Sequence, residues 1–354
     1  MAKAPGFKLA VRVAAVGAVV GFAAFVAHAG FGAGGHGLDF FANNELYDSL
    51  VTGAAVACIV RGLAVRADRA AWMCIGIGLA FNAAGEIYYS FAFGDNGNPP
   101  TPSVADGLYL TYYPFIYAGF MLLVRPRLDR HSPSTWLDGA IAAVTTAALV
   151  SALALGAIVH ATPADPAAVA TDLAYPLGDL LLFAMVVSVF ALSGWRPGRI
   201  WLLLGLALIA GGIADTLYAY LNAVNSYTVG TLLDALWPAS TLCIAFAAWQ
   251  RPGREQALKL EGMRLLLVPG VFAATALGLL IYGGVHHVTL SGLVLAGAAL
   301  ALVIARAAWT FRENLHLLGE VRRDAVTDAL TGLGNRRRLI ADLNSSIASA
   351  TSER

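Results

Sequence analysis

The sequence predicts an all-α, polytopic membrane bundle, and three observations lead there. Of 354 residues, 58% are apolar and only 13% charged, with a mean hydropathy of +0.69. Soluble domains carry about 25% charged residues, so a water-soluble core could not hide this much apolar surface. The apolar residues also gather in runs of roughly 20, the length a helix needs to cross about 30 Å of hydrocarbon. Finally, backbone in lipid must satisfy its own hydrogen bonds, which for runs of this length leaves helices.

Ten spans follow in order, near 8–28, 46–63, 70–93, 105–124, 136–160, 172–193, 199–221, 231–249, 263–282 and 289–310. The connections are short and rich in Gly, Pro, Asn and Asp, as turns between helices are. The first span, with its basic start and the "AHAG" at Ala27–Gly30, also fits a signal peptide with an A-x-A cleavage site. Cys58, Cys74 and Cys243 fall inside apolar runs and read as packing residues. Lys and Arg are dispersed at net charge +1, which gives no footprint for nucleic acid.

Orientation follows from the cations, which are retained on the cytoplasmic side. Lys3, Lys8 and Arg12 precede the first span; Arg61, Arg66 and Arg69 follow the second; Arg125, Arg127 and Arg130 the fourth; Arg196 and Arg199 the sixth; Arg251, Arg254, Lys259 and Arg264 the eighth. Arg306 and Arg312 flank the end of the tenth, while connections 94–103 and 160–172 contain no Lys or Arg. Both termini are therefore expected in the cytoplasm.

The middle of the chain repeats. Trp72, Trp136 and Trp201 open the third, fifth and seventh spans at spacings of 64 and 65, and are expected at the membrane interface, where indole rings are favoured. Pro114, Pro176 and Pro238 recur at spacings of 62 in the fourth, sixth and eighth spans, each after an aromatic residue. Within the third and seventh spans, Trp72, Gly76, Glu86 and Tyr89 match Trp201, Gly205, Asp215 and Tyr218 at identical offsets. Three alike helix pairs in parallel orientation are the expectation, with kinked packing as the plain role of the prolines.

Carboxylates at membrane depth are costly unless paired, protonated or lining a wet cavity, and so mark a candidate site. Glu86, Asp106, Asp179, Asp215 and Asp234 all map to the outer half of the bilayer, and Asp138 alone to the inner face. His28, His36, His160, His286 and His287 fall near the same outer face. Together these predict an acidic, His-bearing sensor pocket for a cation, an amine or external pH. For Asp106 and Asp234 the competing expectation is a favourable anion at a helix N-terminus.

Beyond the tenth span, Phe311, Leu315, Leu318 and Ala325 fall at roughly heptad spacing on a predicted signalling helix over 311–327, along which two chains could pair as a homodimer; Gly319 weakens it by about 1 kcal/mol. Residues 328–354 then begin "DALTGLGNRRRL". Asp328, Leu330, Thr331, Gly332, Leu333, Asn335, Arg336 and Arg337 fill the pattern D-x-L-T-G-L-x-N-R-R, and the stretch resembles the start of the GGDEF domain of diguanylate cyclases. Asp328 would hold a tight turn permitted by Gly332 and Gly334, and Asn335 would start a helix with Leu339, Leu343 and Ile347 on its inner face.

The resemblance implies a domain map: a transmembrane sensor region over 1–310, the signalling helix over 311–327, and a truncated start of an α/β GGDEF domain over 328–354. It implies a bacterial inner membrane location and, for the complete protein, condensation of two GTP into cyclic di-GMP with Mg. The catalytic loop and metal-binding aspartates of that family have no counterpart here, so this chain holds no catalytic residue, metal or cofactor and is expected to be inactive by itself. A composite protein with an EAL phosphodiesterase domain is an alternative of the same class. A transporter, motivated by the repeat and the membrane carboxylates, is the rival from another class.

Overall fold

The computed structural model describes residues 5–93, 100–128, 133–152, 165–192, 197–224, 226–250, 264–328, 331, 333–336, 338–340, 343 and 344. Every predicted span corresponds to a helix. They are α1 (Pro5–Phe31), α2 (Tyr47–Ala64), α3 (Arg69–Ala92), α4 (Val104–Leu128), α5 (Pro133–Val150), α6 (Pro166–Leu192), α7 (Arg199–Ala223), α8 (Leu236–Ala248), α9 (Arg264–Gly283) and α10 (Leu290–Val326). Seven helical stretches are long and apolar enough to cross a membrane; shorter apolar stretches at Leu137–Val150, Leu236–Ala248 and Pro269–Gly283 belong to α5, α8 and α9. By helix length and hydropathy the chain is a multi-pass membrane protein.

Six of these helices close a ring. α2 packs on α3, α3 on α4, α4 on α6, α6 on α7, α7 on α8, and α8 returns to α2. One apolar cluster runs through all six, with Val51, Ile75, Ile116, Leu182, Leu204 and Ile244 fully buried. The α2–α8 seam that shuts the ring is hydrogen-bonded where lipid could not solvate it: Arg61 Nε donates to the Ala248 carbonyl at 2.8 Å, and Trp249 Nε1 donates to the Ala57 carbonyl at 3.2 Å.

Trp72 and Trp201 correct the interfacial expectation. Their rings are 1% and 4% exposed and lie in the ring's core. Each opens a helix whose next-turn glycine admits the preceding helix. A Cβ on Gly76 would stand 2.9 Å from the Ile59 backbone nitrogen of α2, and one on Gly205 would stand 2.6 Å from the Phe190 ring of α6. With the neighbouring helix this close, by its backbone at Gly76 and by its side chains at Gly205, the indole beside each glycine is covered by protein. The side chain of Trp136 lies outside the described residues.

The repeat is consequently better divided as two halves of three helices, α2–α3–α4 and α6–α7–α8, than as three pairs. α5 stands outside the ring and packs on α6 and α9, in a small separate cluster of Ala148, Ala276, Leu279, Ala296 and Ala299. Pro114 and Pro176 sit within α4 and α6, whereas Pro238 occupies the first turn of α8, where its missing N–H costs no helical hydrogen bond. Cys58 is fully buried and all three cysteines are free, as packing residues should be.

The chain divides into two compact units after Leu302, within α10. In the second unit Asp328 and Asn335 make the local hydrogen bonds that their residue types predict. Asp328 Oδ1 accepts from Thr331 N at 3.0 Å and from Thr331 Oγ1 at 2.9 Å, and Asn335 Oδ1 accepts from Arg338 N at 3.2 Å, an N-cap contact. An isolated antiparallel bridge joins Thr327 to Gly334. Among the described residues there is no strand, so the α/β portion implied by the resemblance is not seen. Leu339 and Leu343 are exposed rather than inward, since no layer among the described residues covers this apolar side. Leu330, Gly332, Arg337 and Ile347 lie outside the described residues. Phe311 and Leu315 on α10 are exposed, as a seam without a partner would be.

Candidate functional site

At the end of the ring opposite Arg61 the six helices carry a polar network in which each contributes a member. The first half supplies Asp48 from α2, Glu86 from α3 and Tyr109 from α4; the second supplies Asp179 from α6, Asp215 from α7 and Trp237 from α8. The halves thus offer a carboxylate on their first helix, a carboxylate on their second and an aromatic donor on their third. Asp48 is a member that the span-by-span reading missed. Its position near the start of α2 reads as a helix-end anion, and only the fold of α2 against α3 sets it beside Glu86.

Two glycines seat tyrosines against carboxylates. Gly85 precedes Glu86, and a Cβ there would meet the Tyr109 ring at 2.6 Å; Gly178 precedes Asp179, and a Cβ there would meet the Tyr113 ring at 2.6 Å. Without those side chains the α4 rings lie flush on α3 and α6 and present their hydroxyls to the neighbouring acids. Tyr109 bonds Glu86. Tyr113, itself buried, donates to Asp179 Oδ1 at 2.9 Å, with the Tyr175 carbonyl at 3.3 Å and Asp215 Oδ2 at 3.5 Å. Tyr117 donates to the Gly178 carbonyl at 2.6 Å.

The aromatic residue before each repeat proline has one chemistry. Tyr113 reaches Asp179, Tyr175 donates to Asp106 Oδ1 at 2.7 Å, and Trp237 Nε1 donates to Asp215 Oδ1 at 2.7 Å. The Tyr-Pro and Trp-Pro pairs therefore do more than shape the helices: each ends a hydrogen bond on a membrane carboxylate. Asp106 and Asp234 take the expected place at helix starts and also accept from tyrosine hydroxyls. Asp106 Oδ2 accepts from Ser103 N and Oγ at 2.7 and 2.8 Å, capping α4. Asp234 Oδ2 accepts from Gly230 N and Thr231 N at 2.6 and 2.8 Å, and its Oδ1 from Tyr227 at 2.8 Å.

Glu86 lies in the field of Asp48, Asp215 and Asp234, all of its own sign. The histidines do not join them. His28 and His36 both reach Asp39, at 3.1 Å each. His286 stacks on Tyr282, His287 is exposed, and His160 is outside the described residues. The residues that meet the acids are thus aromatic, because the C-terminal turn of α1 and the short helix at His36–Leu38 bring His28 and His36 to Asp39 instead. Asp138 is buried apart from this network on α5.

Asp179 Oδ2 and Asp48 Oδ1, on the corresponding first helices of the two halves, are shielded from solvent and receive no N–H or hydroxyl donor, while the Asp179 and Asp215 carboxyl groups hydrogen-bond each other. Asp48 also lines an open groove of about 430 Å³ with Ser49, Thr52, Gly53, Val56 and Ile87. No group of three His, Cys, Asp or Glu side chains among the described residues is arranged to hold a metal ion. Chemically, the network can bind positive charge, exchange protons or couple the six helices through shared acceptors. Comparison of the chain with protein-family models, curated proteins and solved structures found no match.

Proposed function

We propose that the chain is the membrane sensor region of a diguanylate cyclase, set in a bacterial inner membrane with both termini in the cytoplasm. The observation that carries this reading is the run Asp328 to Arg337, which resembles the GGDEF start and follows directly on a helix emerging from the bundle. The carboxylate–aromatic network is the input, since it joins all six ring helices through acceptors whose occupancy a signal would change. α10 is the path to the output, and pairing of two chains along Phe311 and Leu315 would set the separation of two GTP-bearing domains. Mg and GTP belong to the complete cyclase domain, outside these residues.

The reading is tested by following the reading frame past Arg354 and assaying membranes that contain the whole gene product for cyclic di-GMP formed from GTP and Mg. Synthesis that changes in Asp215→Asn is the expected result. A frame that continues into no GGDEF domain would overturn it, and one that continues into an active EAL domain would replace synthesis by hydrolysis. The two-half ring with acids gathered at one end also favours transport as a second reading. Solute flux in liposomes by a chain ending at Phe311 would establish transport in place of sensing.

A further inference from the structure

The turn from α2 into α3, at the opposite end of the ring from the acids, gathers arginines. Two of them hold the turn itself. Arg61 Nη1 donates to the Ala67 carbonyl at 3.3 Å, and Arg69 donates through Nε to the Gly62 carbonyl and through Nη2 to the Leu63 carbonyl, at 3.1 Å each. Arg66, between them in sequence, is exposed and donates to none of the described residues. Asp68 is the acid of this turn, and it lies in the field of Arg61, which offsets its charge. Beside the turn is an open groove of about 600 Å³, whose lining includes Arg66, Asp68, Arg69, Met73 and Leu122. Its floor is tight because Gly119 admits α4 to α3: a Cβ there would stand 3.0 Å from the Ala71 carbonyl oxygen. The apolar spans end at this level, on Arg69 in α3 and on Arg125 in α4. The arginine end of the groove therefore stands at the height of lipid headgroups, and Met73 and Leu122, about one helical turn deeper, stand among acyl chains.

We propose that this groove seats one anionic glycerophospholipid, with its phosphate at Arg66 and Arg69 and an acyl chain along Met73 and Leu122. Charge selects the occupant. With Asp68 offset by Arg61, the positive charges of Arg66 and Arg69 face the groove, and exposed Arg125 follows one turn after Leu122 on α4. A guanidinium fork matches the paired oxygens of a phosphate, and Arg66 has its whole fork to give. A choline lipid would carry its own cation into the same group of arginines, so a net negative head is favoured over a zwitterionic one. The apolar wall selects a lipid over a soluble phosphate, since Leu122 is 36% exposed and Met121 beside it 49% exposed, surface that an acyl chain covers. This site lies away from the carboxylate–aromatic network and does not depend on what the bundle senses.

The test is native mass spectrometry of the full chain released from nanodiscs of equal parts phosphatidylglycerol and phosphatidylcholine, counting the lipids that stay bound. One phosphatidylglycerol held in about fivefold or greater preference to phosphatidylcholine is expected, the preference that even a single arginine at an anionic headgroup gives. Arg66→Gln combined with Arg125→Gln should bring the preference close to unity. Arg199→Gln, which removes an exposed cation at the start of α7, should leave it unchanged. Equal retention of the two lipids by the wild type, or an unaltered preference in the double variant, would overturn the inference. An equal loss in Arg199→Gln would do so too, since it would mean diffuse attraction by the whole surface. Displacement of the bound lipid by soluble glycerol 3-phosphate, beyond that caused by sodium chloride at equal ionic strength, would make the groove a site for free phosphate and likewise overturn it. Should the double variant fail to fold, the wild-type lipid ratio and the glycerol 3-phosphate competition decide by themselves.

Discussion

Tyr113→Phe deletes one oxygen and should loosen the second half of the ring by an amount the geometry ranks in advance. The hydroxyl has one proton to give. Its nearest acceptor is Asp179 Oδ1 at 2.9 Å, whereas Asp215 Oδ2 at 3.5 Å is at the limit of a hydrogen bond. A bond to a charged acceptor contributes about 1.5–3 kcal/mol in soluble proteins, and interhelical polar contacts in membranes average about 0.6 kcal/mol with a ceiling near 1.7. The overlap places the Tyr113–Asp179 coupling at about 1–2 kcal/mol and the Tyr113–Asp215 coupling below about 0.5. Trp237 and Asp215, at 2.7 Å with no competing acceptor for the indole proton, should couple as strongly as the first pair.

Three double-mutant cycles measure this, using Tyr113→Phe, Trp237→Phe, Asp179→Asn and Asp215→Asn. The protein in bicelles is unfolded by sodium dodecyl sulfate and followed by far-ultraviolet circular dichroism, which is indifferent to the lost indole. Coupling near zero for Tyr113 with Asp179, or a larger value with Asp215, would refute the assignment of the hydroxyl to Asp179 Oδ1.

Other consequences can be checked independently. Gly119→Ala should destabilise the bundle by about 1–3 kcal/mol in the same unfolding assay, because its new Cβ would stand 2.5 Å from Ile75 Cγ1 and 3.0 Å from the Ala71 carbonyl oxygen. Arg61→Ala should open the α2–α8 seam, seen as faster hydrogen exchange in the last turn of α8, since the Ala248 carbonyl loses a donor at 2.8 Å. In the second unit, Asp328→Ala removes the acceptor of both Thr331 N and Thr331 Oγ1, and amide exchange at Thr331 should accelerate several-fold, about the effect of losing 1 kcal/mol.

Composition and run length were enough to determine that the chain is a multi-pass helical membrane protein, though only seven of the helical stretches among the described residues have spanning length, because a hydrocarbon solvent imposes both the length and the internal hydrogen bonding of each segment. Spacing alone also matched Glu86 to Asp215 and Trp72 to Trp201, as identical offsets in a helix place residues at equivalent heights. What no linear reading contained was adjacency between helices. That the rings of Trp72 and Trp201 are buried in the core depends on glycines that admit a neighbouring helix. That α5 leaves the ring depends on which hydrophobic stripe its neighbours offer. Asp48 joins the site, and the histidines leave it, because side-chain chemistry acts over about 3 Å, a distance that only tertiary packing sets between residues tens to hundreds of positions apart.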